Sequence, residues 1–134
     1  MKKNVYLLIF MVFAVVSLAG CPHIAPILNI DNEAIAVKGN YTMKDVEKAI
    51  VRAGVKLGWQ MHPKEPGRII GILYLRDHVA KIDIMYDKTK YSIHYLDSKN
   101  LQYDGKKNEI HSNYNGWVER LSHNIQAQLS AINI

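Results

Sequence analysis

Asp83, Ser92 and His94 supply the residue types of a hydrolytic triad: a carboxylate to orient an imidazole, and an imidazole to activate a hydroxyl. If residues 79–86 and 90–96 form one hairpin, Asp83 lies opposite His94, and Ser92 sits two residues from His94 on the same face. Side chains at i and i+2 of a strand stand about 6.6–7 Å apart, whereas a nucleophile and its base need about 3 Å. No strained strand-to-helix elbow accompanies Ser92. A cross-strand ion pair between Asp83 and His94 is therefore expected. A small hydrolase using His94 or His111, with Asp83 in support, stands as the alternative. Six histidines (His23, His62, His78, His94, His111 and His123) include no tight ligand pair, so neither a metal nor another cofactor is expected.

The other chemistry lies near the N-terminus. Lys2 and Lys3 precede an apolar run, Val5 to Val16, followed by Ser17-Leu-Ala-Gly-Cys21. A positive start, about a dozen apolar residues and small residues at the end describe a secretory signal over residues 1–20. The run is shorter than the roughly 20 apolar residues of a bilayer span. Leu18-Ala19-Gly20-Cys21 resembles the lipobox of bacterial lipoproteins. That resemblance implies cleavage before Cys21, diacylglycerol on its sulfur and an acyl chain such as palmitate on its new amino group. Cys21 is the chain's single cysteine, so its acylation leaves no thiol for a disulfide. Several acyl chains, at about 0.8 kcal/mol per buried methylene, hold a protein at the bilayer essentially permanently. Pro22 stands where an Asp would signal inner-membrane retention, and by that family rule the protein belongs at the outer membrane, facing the periplasm.

The chain has 134 residues, enough for one compact domain and too few for a multidomain enzyme. Its net charge of +5 includes Lys2 and Lys3 of the signal, so the mature chain is only mildly basic. No glycine-rich phosphate loop or base-stacking platform appears, and no nucleic-acid partner is expected. Lys64, Arg68, Arg76, Lys81, Lys88, Lys90, Lys99, Lys106 and Lys107 gather in one half of the domain, where they could meet anionic headgroups or peptidoglycan carboxylates. Asp83, Asp87, Asp97 and Asp104 interleave with them, which favours a mixed, solvated surface.

The elements that must position these residues follow from periodicity. Residues 21–33 hold Pro22 and Pro26 and read as a lipidated tether, leaving 34–134 as a single domain. Residues 34–38 read as a first strand. Thr42 and Asp45 form a capping box for a helix over 43–54, with Val46, Ala49, Ile50 and Ala53 on its apolar side. Gly54 and Gly58 offer stops. Strands follow at 59–62, 68–76, 79–86 and 90–96, then an irregular loop around Leu101 and Tyr103. A last helix over 114–131, capped by Asn113, carries Tyr114, Trp117, Val118, Leu121, Ile125 and Leu129 on one stripe. Two amphipathic helices and an antiparallel meander of three to five strands make a two-layer α+β sandwich.

Two-residue turns at Asp77-His78 and Lys88-Thr89 would set Leu75 opposite Ala80, Ile69 opposite Tyr86, and Ile84 opposite Ile93 on the core side. The opposite side then carries Ile70, Ile72, Tyr74, Met85 and Leu96, among Arg76, Lys81, Asp83, Ser92 and His94. An ordinary solvated face has fewer apolar side chains. A contact surface is expected there, for an envelope protein or a second copy; a cover formed by the 97–112 loop is the competing reading.

Tyr91-Ser-Ile-His-Tyr95, Asn100-Leu-Gln-Tyr103 and Ile110-His-Ser-Asn-Tyr-Asn-Gly-Trp-Val118 together resemble a group of small, uncharacterised proteobacterial lipoproteins with an Ile-His-x-Asn-Tyr-Asn-x-Trp helix entry. The likeness runs from about Tyr41 to Leu129. It implies lipoprotein status and the α+β fold, and no activity. Ser112 and Gly116 depart from the Pro and the larger residue often found at those positions. The function expected is a membrane-anchored periplasmic binding or scaffolding module, tied to the bilayer through acylated Cys21.

Overall fold

The structure, a computed structural model, describes residues 23–133; the export segment and Cys21 lie outside them. Seven strands and two helices run in the order β1 (Ile24–Pro26), β2 (Ile30–Ala34), α1 (Met43–Lys56), β3 (Gln60–Glu65), β4 (Arg68–Leu75), β5 (His78–Tyr86), β6 (Lys90–Lys99), β7 (Glu109–His111) and α2 (Ser112–Ser130). Strands β2-β6-β5-β4-β3 form one antiparallel sheet, and β1 pairs with β7 in a two-stranded ribbon. The α+β class with its antiparallel meander and two helices is thus realised.

Helix α1 starts where its sequence says. Thr42 Oγ1 accepts the Asp45 amide (3.2 Å), and the Asp45 carboxylate accepts the Thr42 amide (2.8 Å). The helix then runs two residues past the expected Gly54. Gly54 is buried, and an added Cβ would collide with the Met61 side chain; at Gly71 it would meet Ile82 first and Met61 behind it. The two glycines let the helix and the β3–β4 pair approach with Met61 between them. The true stop is Gly58, at φ +89°, a conformation that glycine adopts without strain.

Both helices lay their apolar stripes on the same side of the sheet. Val46, Ala49, Ile50 and Ala53 of α1 and Tyr114, Val118, Leu121, Ile125 and Leu129 of α2 are buried against Ile69, Leu73, Ala80, Ile82, Ile84, Tyr91 and Ile93. Fully burying one such side chain contributes about 1.5–3 kcal/mol. No disulfide is available to share that task, because the chain has one cysteine.

The β5–β6 hairpin has the expected register: Tyr86 opposite Tyr91, Ile84 opposite Ile93, Ile82 opposite Tyr95 and Asp83 opposite His94. Its turn is drawn tight by Asp87, whose carboxylate accepts the amides of Thr89 (2.7 Å) and Lys90 (3.0 Å). The β4–β5 hairpin is shifted by two residues. Leu75 pairs with His78 and Ile69 with Ile84, so the turn is Arg76-Asp77 rather than Asp77-His78. Arg76 takes a left-handed φ of +57°, and Asn100 fixes the turn from outside by donating its side-chain amide to the Asp77 carbonyl (2.7 Å). Because side chains alternate, a slip of two leaves each residue on its expected face.

The largest correction concerns the stretch read as a tether. Its described part forms β1 and β2, with Ile24, Ile27, Leu28 and Ile30 half-buried. In place of the strand expected at 34–38, the five-stranded sheet begins with β2 at Ile30–Ala34, and β1 precedes it. The prolines exclude a helix but not edge pairing. Asn115 clamps the connection, accepting the Leu28 amide (2.9 Å) and donating to the Pro26 carbonyl (2.8 Å). Helix α2 correspondingly begins at Ser112, capped by His111, whose Nδ1 accepts the Asn113 amide (3.1 Å), and not by Asn113. The short strand expected at 59–62 is β3, which runs through Pro63 to Glu65 on the sheet's edge. Of the expected 97–112 loop, residues 97–99 belong to β6 and 109–111 to β7.

Two polar groups report on this packing. The Tyr114 hydroxyl is buried beneath Tyr95 without a hydrogen-bond partner, and that burial pushes its pKa far above the usual tyrosine value. Replacing Tyr114→Phe should raise stability by about 1 kcal/mol, because it removes an unsatisfied hydroxyl; a lowered denaturation midpoint would show that the hydroxyl is bonded. Glu47 receives Lys44 Nζ (2.6 Å) and the Tyr86 hydroxyl (2.9 Å), and these bonds, Lys44's first, hold its carboxyl below the usual glutamate range against the cost of burial. A lowered folded-state pKa means stability that is present at neutral pH and lost as pH falls through that value. Replacing Tyr86→Phe should therefore cost about 1–2 kcal/mol in urea melts at pH 7, and less once Glu47 is protonated.

Candidate functional site

The outer face of the five-stranded sheet, opposite both helices, is built from the alternate residues of β3 to β6. Four cross-strand rows follow from the register: Arg68, Met85 and Ser92; His62, Ile70, Asp83 and His94; Gln60, Ile72, Lys81 and Asp97; Tyr74, Val79 and Lys99. The face is therefore divided. Strand β4 contributes an apolar line, Ile70-Ile72-Tyr74, while β5 and β6 contribute most of the charge. Tyr74 is 57% exposed and Met85 41%, with Ile70 and Ile72 half-buried between their neighbours.

Leu96 reaches the same side by a different route. The β5–β6 pairing passes from Ile82–Tyr95 to Lys81–Asp97, which makes Leu96 the extra residue of a bulge, 45% exposed. Arg76, expected on this face, belongs instead to the β4–β5 turn. The expected contact residues Ile70, Ile72, Tyr74, Met85 and Leu96 thus do gather on one side of one sheet. The competing cover is absent from it. Leu101 is buried in the core, and Tyr103 stacks at 4.4 Å on Tyr95, whose cross-strand partner is the core residue Ile82.

The triad residues are placed side by side but bonded elsewhere. Asp83 accepts a two-pronged pair from Arg68, at 3.0 Å from Nε and 2.9 Å from Nη2. This geometry raises the Arg68 pKa further and spends both carboxylate oxygens. His94 Nε2 meets Asp31 Oδ1 at 2.5 Å across from β2, and Ser92 Oγ accepts the Asn32 amide at 2.9 Å. The expected Asp83–His94 ion pair is thus replaced by Asp83–Arg68 and His94–Asp31. His111 lies on the ribbon strand β7 and caps α2, apart from the Asp83 row.

Periodicity within β4 to β6 was unable to reveal these partners, because Asp31 and Asn32 come from a segment that read as tether. A bulge in β2 with Asn32 at φ +51° aims them at β6. Among the described residues no group of three or more His, Cys, Asp or Glu side chains could hold a metal ion, and no helix is long and apolar enough to cross a membrane. The Asn113-Tyr-Asn-Gly-Trp117 entry acts structurally, through the Asn115 clamp and buried Tyr114.

No family model, curated protein or solved structure matches this chain.

Proposed function

We propose that the protein is an envelope lipoprotein, anchored through acylated Cys21, whose domain acts as a binding or scaffolding module without a catalytic step of its own. The observation that carries this reading is the divided outer face: an apolar line on β4, exposed at Tyr74, beside a fixed Arg68–Asp83 pair. Both helices lie on the other side, and apolar patches of this kind on a folded surface commonly mark interaction sites. The bidentate ion pair adds orientation, since a charge fixed in space discriminates among partners better than a mobile one. The lipobox-like Leu18-Ala-Gly-Cys21, the charged and apolar residues before it and the resemblance to small proteobacterial lipoproteins support the anchoring. Pro22 after the cysteine favours the outer membrane, with the domain in the periplasm. The partner we favour is another envelope protein, a second copy being the other occupant to look for.

A hydrolase built on His94 or His111 with Asp83 has weaker support. It would require Asp83 to leave Arg68 and His94 to leave Asp31 before either could serve a substrate.

A photo-crosslinking residue at Tyr74, used in intact cells, should capture one defined envelope protein or the protein itself. The same residue at exposed Glu119 on α2 should not. Adding Ile72→Glu should abolish the Tyr74 crosslink while leaving the thermal midpoint within a few degrees. Equal crosslinking from both positions, or a Tyr74 crosslink indifferent to Ile72→Glu, would remove the outer face as the working surface.

A further inference from the structure

We propose that the end of the domain around the N-terminus of α2 rests against an anionic phospholipid bilayer, so that the sheet stands upright on the membrane. This inference rests on the acylation of Cys21 and adds the orientation that acylation imposes.

Little chain lies between the proposed anchor and the fold. Only Pro22 and His23 separate Cys21 from β1, and the His23 carbonyl already accepts the Ser112 amide (2.6 Å) at the start of α2. Two residues extend at most about 7 Å. A lipidated Cys21 therefore brings the membrane surface to this end of the molecule, where a tether of thirteen residues would have let the domain turn freely.

The same end has a composition that suits a headgroup layer. Backbone bonding runs from Ser112 through His111, which donates to the Leu101 carbonyl (2.8 Å), to Asn100, which holds the Arg76-Asp77 turn. That places Leu75, Arg76 and the end of β6 at Lys99 at the same end as His23 and the start of α2. The last turn of α1 joins them, because Leu57 and Trp117 of α2 line one cleft. Val55 is 60% exposed and Leu75 44%, and Lys56, Arg76 and Lys99 are exposed among them, with Asp77 as the acid of the turn. Exposed aliphatic side chains flanked by cations are what an anionic interface takes up: the chains enter between headgroups and the cations meet phosphates. The far end, where Asn133 donates to the Lys38 carbonyl (3.0 Å), is separated by the 19 residues of α2, about 28 Å.

The test uses the full-length protein, purified with its acyl chains and reconstituted in phosphatidylglycerol–phosphatidylethanolamine vesicles. Acylation blocks Cys21, so a nitroxide can be placed at Asp77→Cys, Lys99→Cys or Lys38→Cys, all exposed positions. Collision with a water-soluble nickel chelate should be several-fold lower at 77 and 99 than at 38. High salt should narrow the difference. Equal accessibility at all three positions, or protection at 38, in protein whose mass shows the acyl chains would overturn the orientation alone. A mass without acyl chains would overturn the anchoring reading and this inference with it.

Discussion

Everything in this domain depends on one-sided burial of its sheet. Two amphipathic helices deliver their apolar stripes to the same face, and a single layer of Ile, Val, Leu and Tyr side chains between helices and sheet forms the core. With one cysteine in the chain, that layer carries the stability of the fold. Its consequence is a second sheet face that neither α1 nor α2 covers. Polar residues on that face are satisfied by one another, Arg68 with Asp83 and His94 with Asp31, and not by the core. The apolar ones stay where a partner can reach them.

Much of this was legible in the sequence, and the reasons for the rest are specific. Helix α1 announces itself through Thr42 and Asp45, and the β5–β6 register through alternation around a turn that Asp87 closes. These are local signals, written within a few residues. The register of β4 on β5 is instead set from a distance by Asn100, and a left-handed arginine is not something that propensity favours. The reading of 21–33 failed for the same kind of reason. Pro26 correctly excludes a helix, but nothing near it says that Asn115, 89 residues beyond, will bind the segment to the fold. The shared face of Ile70, Ile72, Tyr74 and Met85 was legible because a two-residue slip preserves faces. The partners of Asp83 and His94 were not, because Arg68 competes for Asp83 and Asp31 arrives from the misread segment.

That same misread segment links fold to function. With β1 part of the domain, the proposed anchor at Cys21 would be short, and the orientation of the domain would follow from covalent reach rather than from a separate docking device. Turns β4–β5 and β5–β6 lie at opposite ends of the sheet, so in the proposed orientation the strands would run away from the membrane and the divided face would look sideways along it. An envelope protein in the same membrane would then meet Ile70, Ile72 and Tyr74 edge-on. In the proposed reading the acyl chains would supply residence and the sheet recognition, with no catalytic step required of either.

The central claim is that the thiol of Cys21 holds the domain at the bilayer, and cell fractionation after growth on labelled palmitate tests it most directly. The account predicts label on the wild-type chain, which sediments with outer membranes, and predicts that Cys21→Ser loses both the label and the membrane association. A Cys21→Ser protein that remains equally membrane-bound, or a wild-type chain that carries no label, would contradict it.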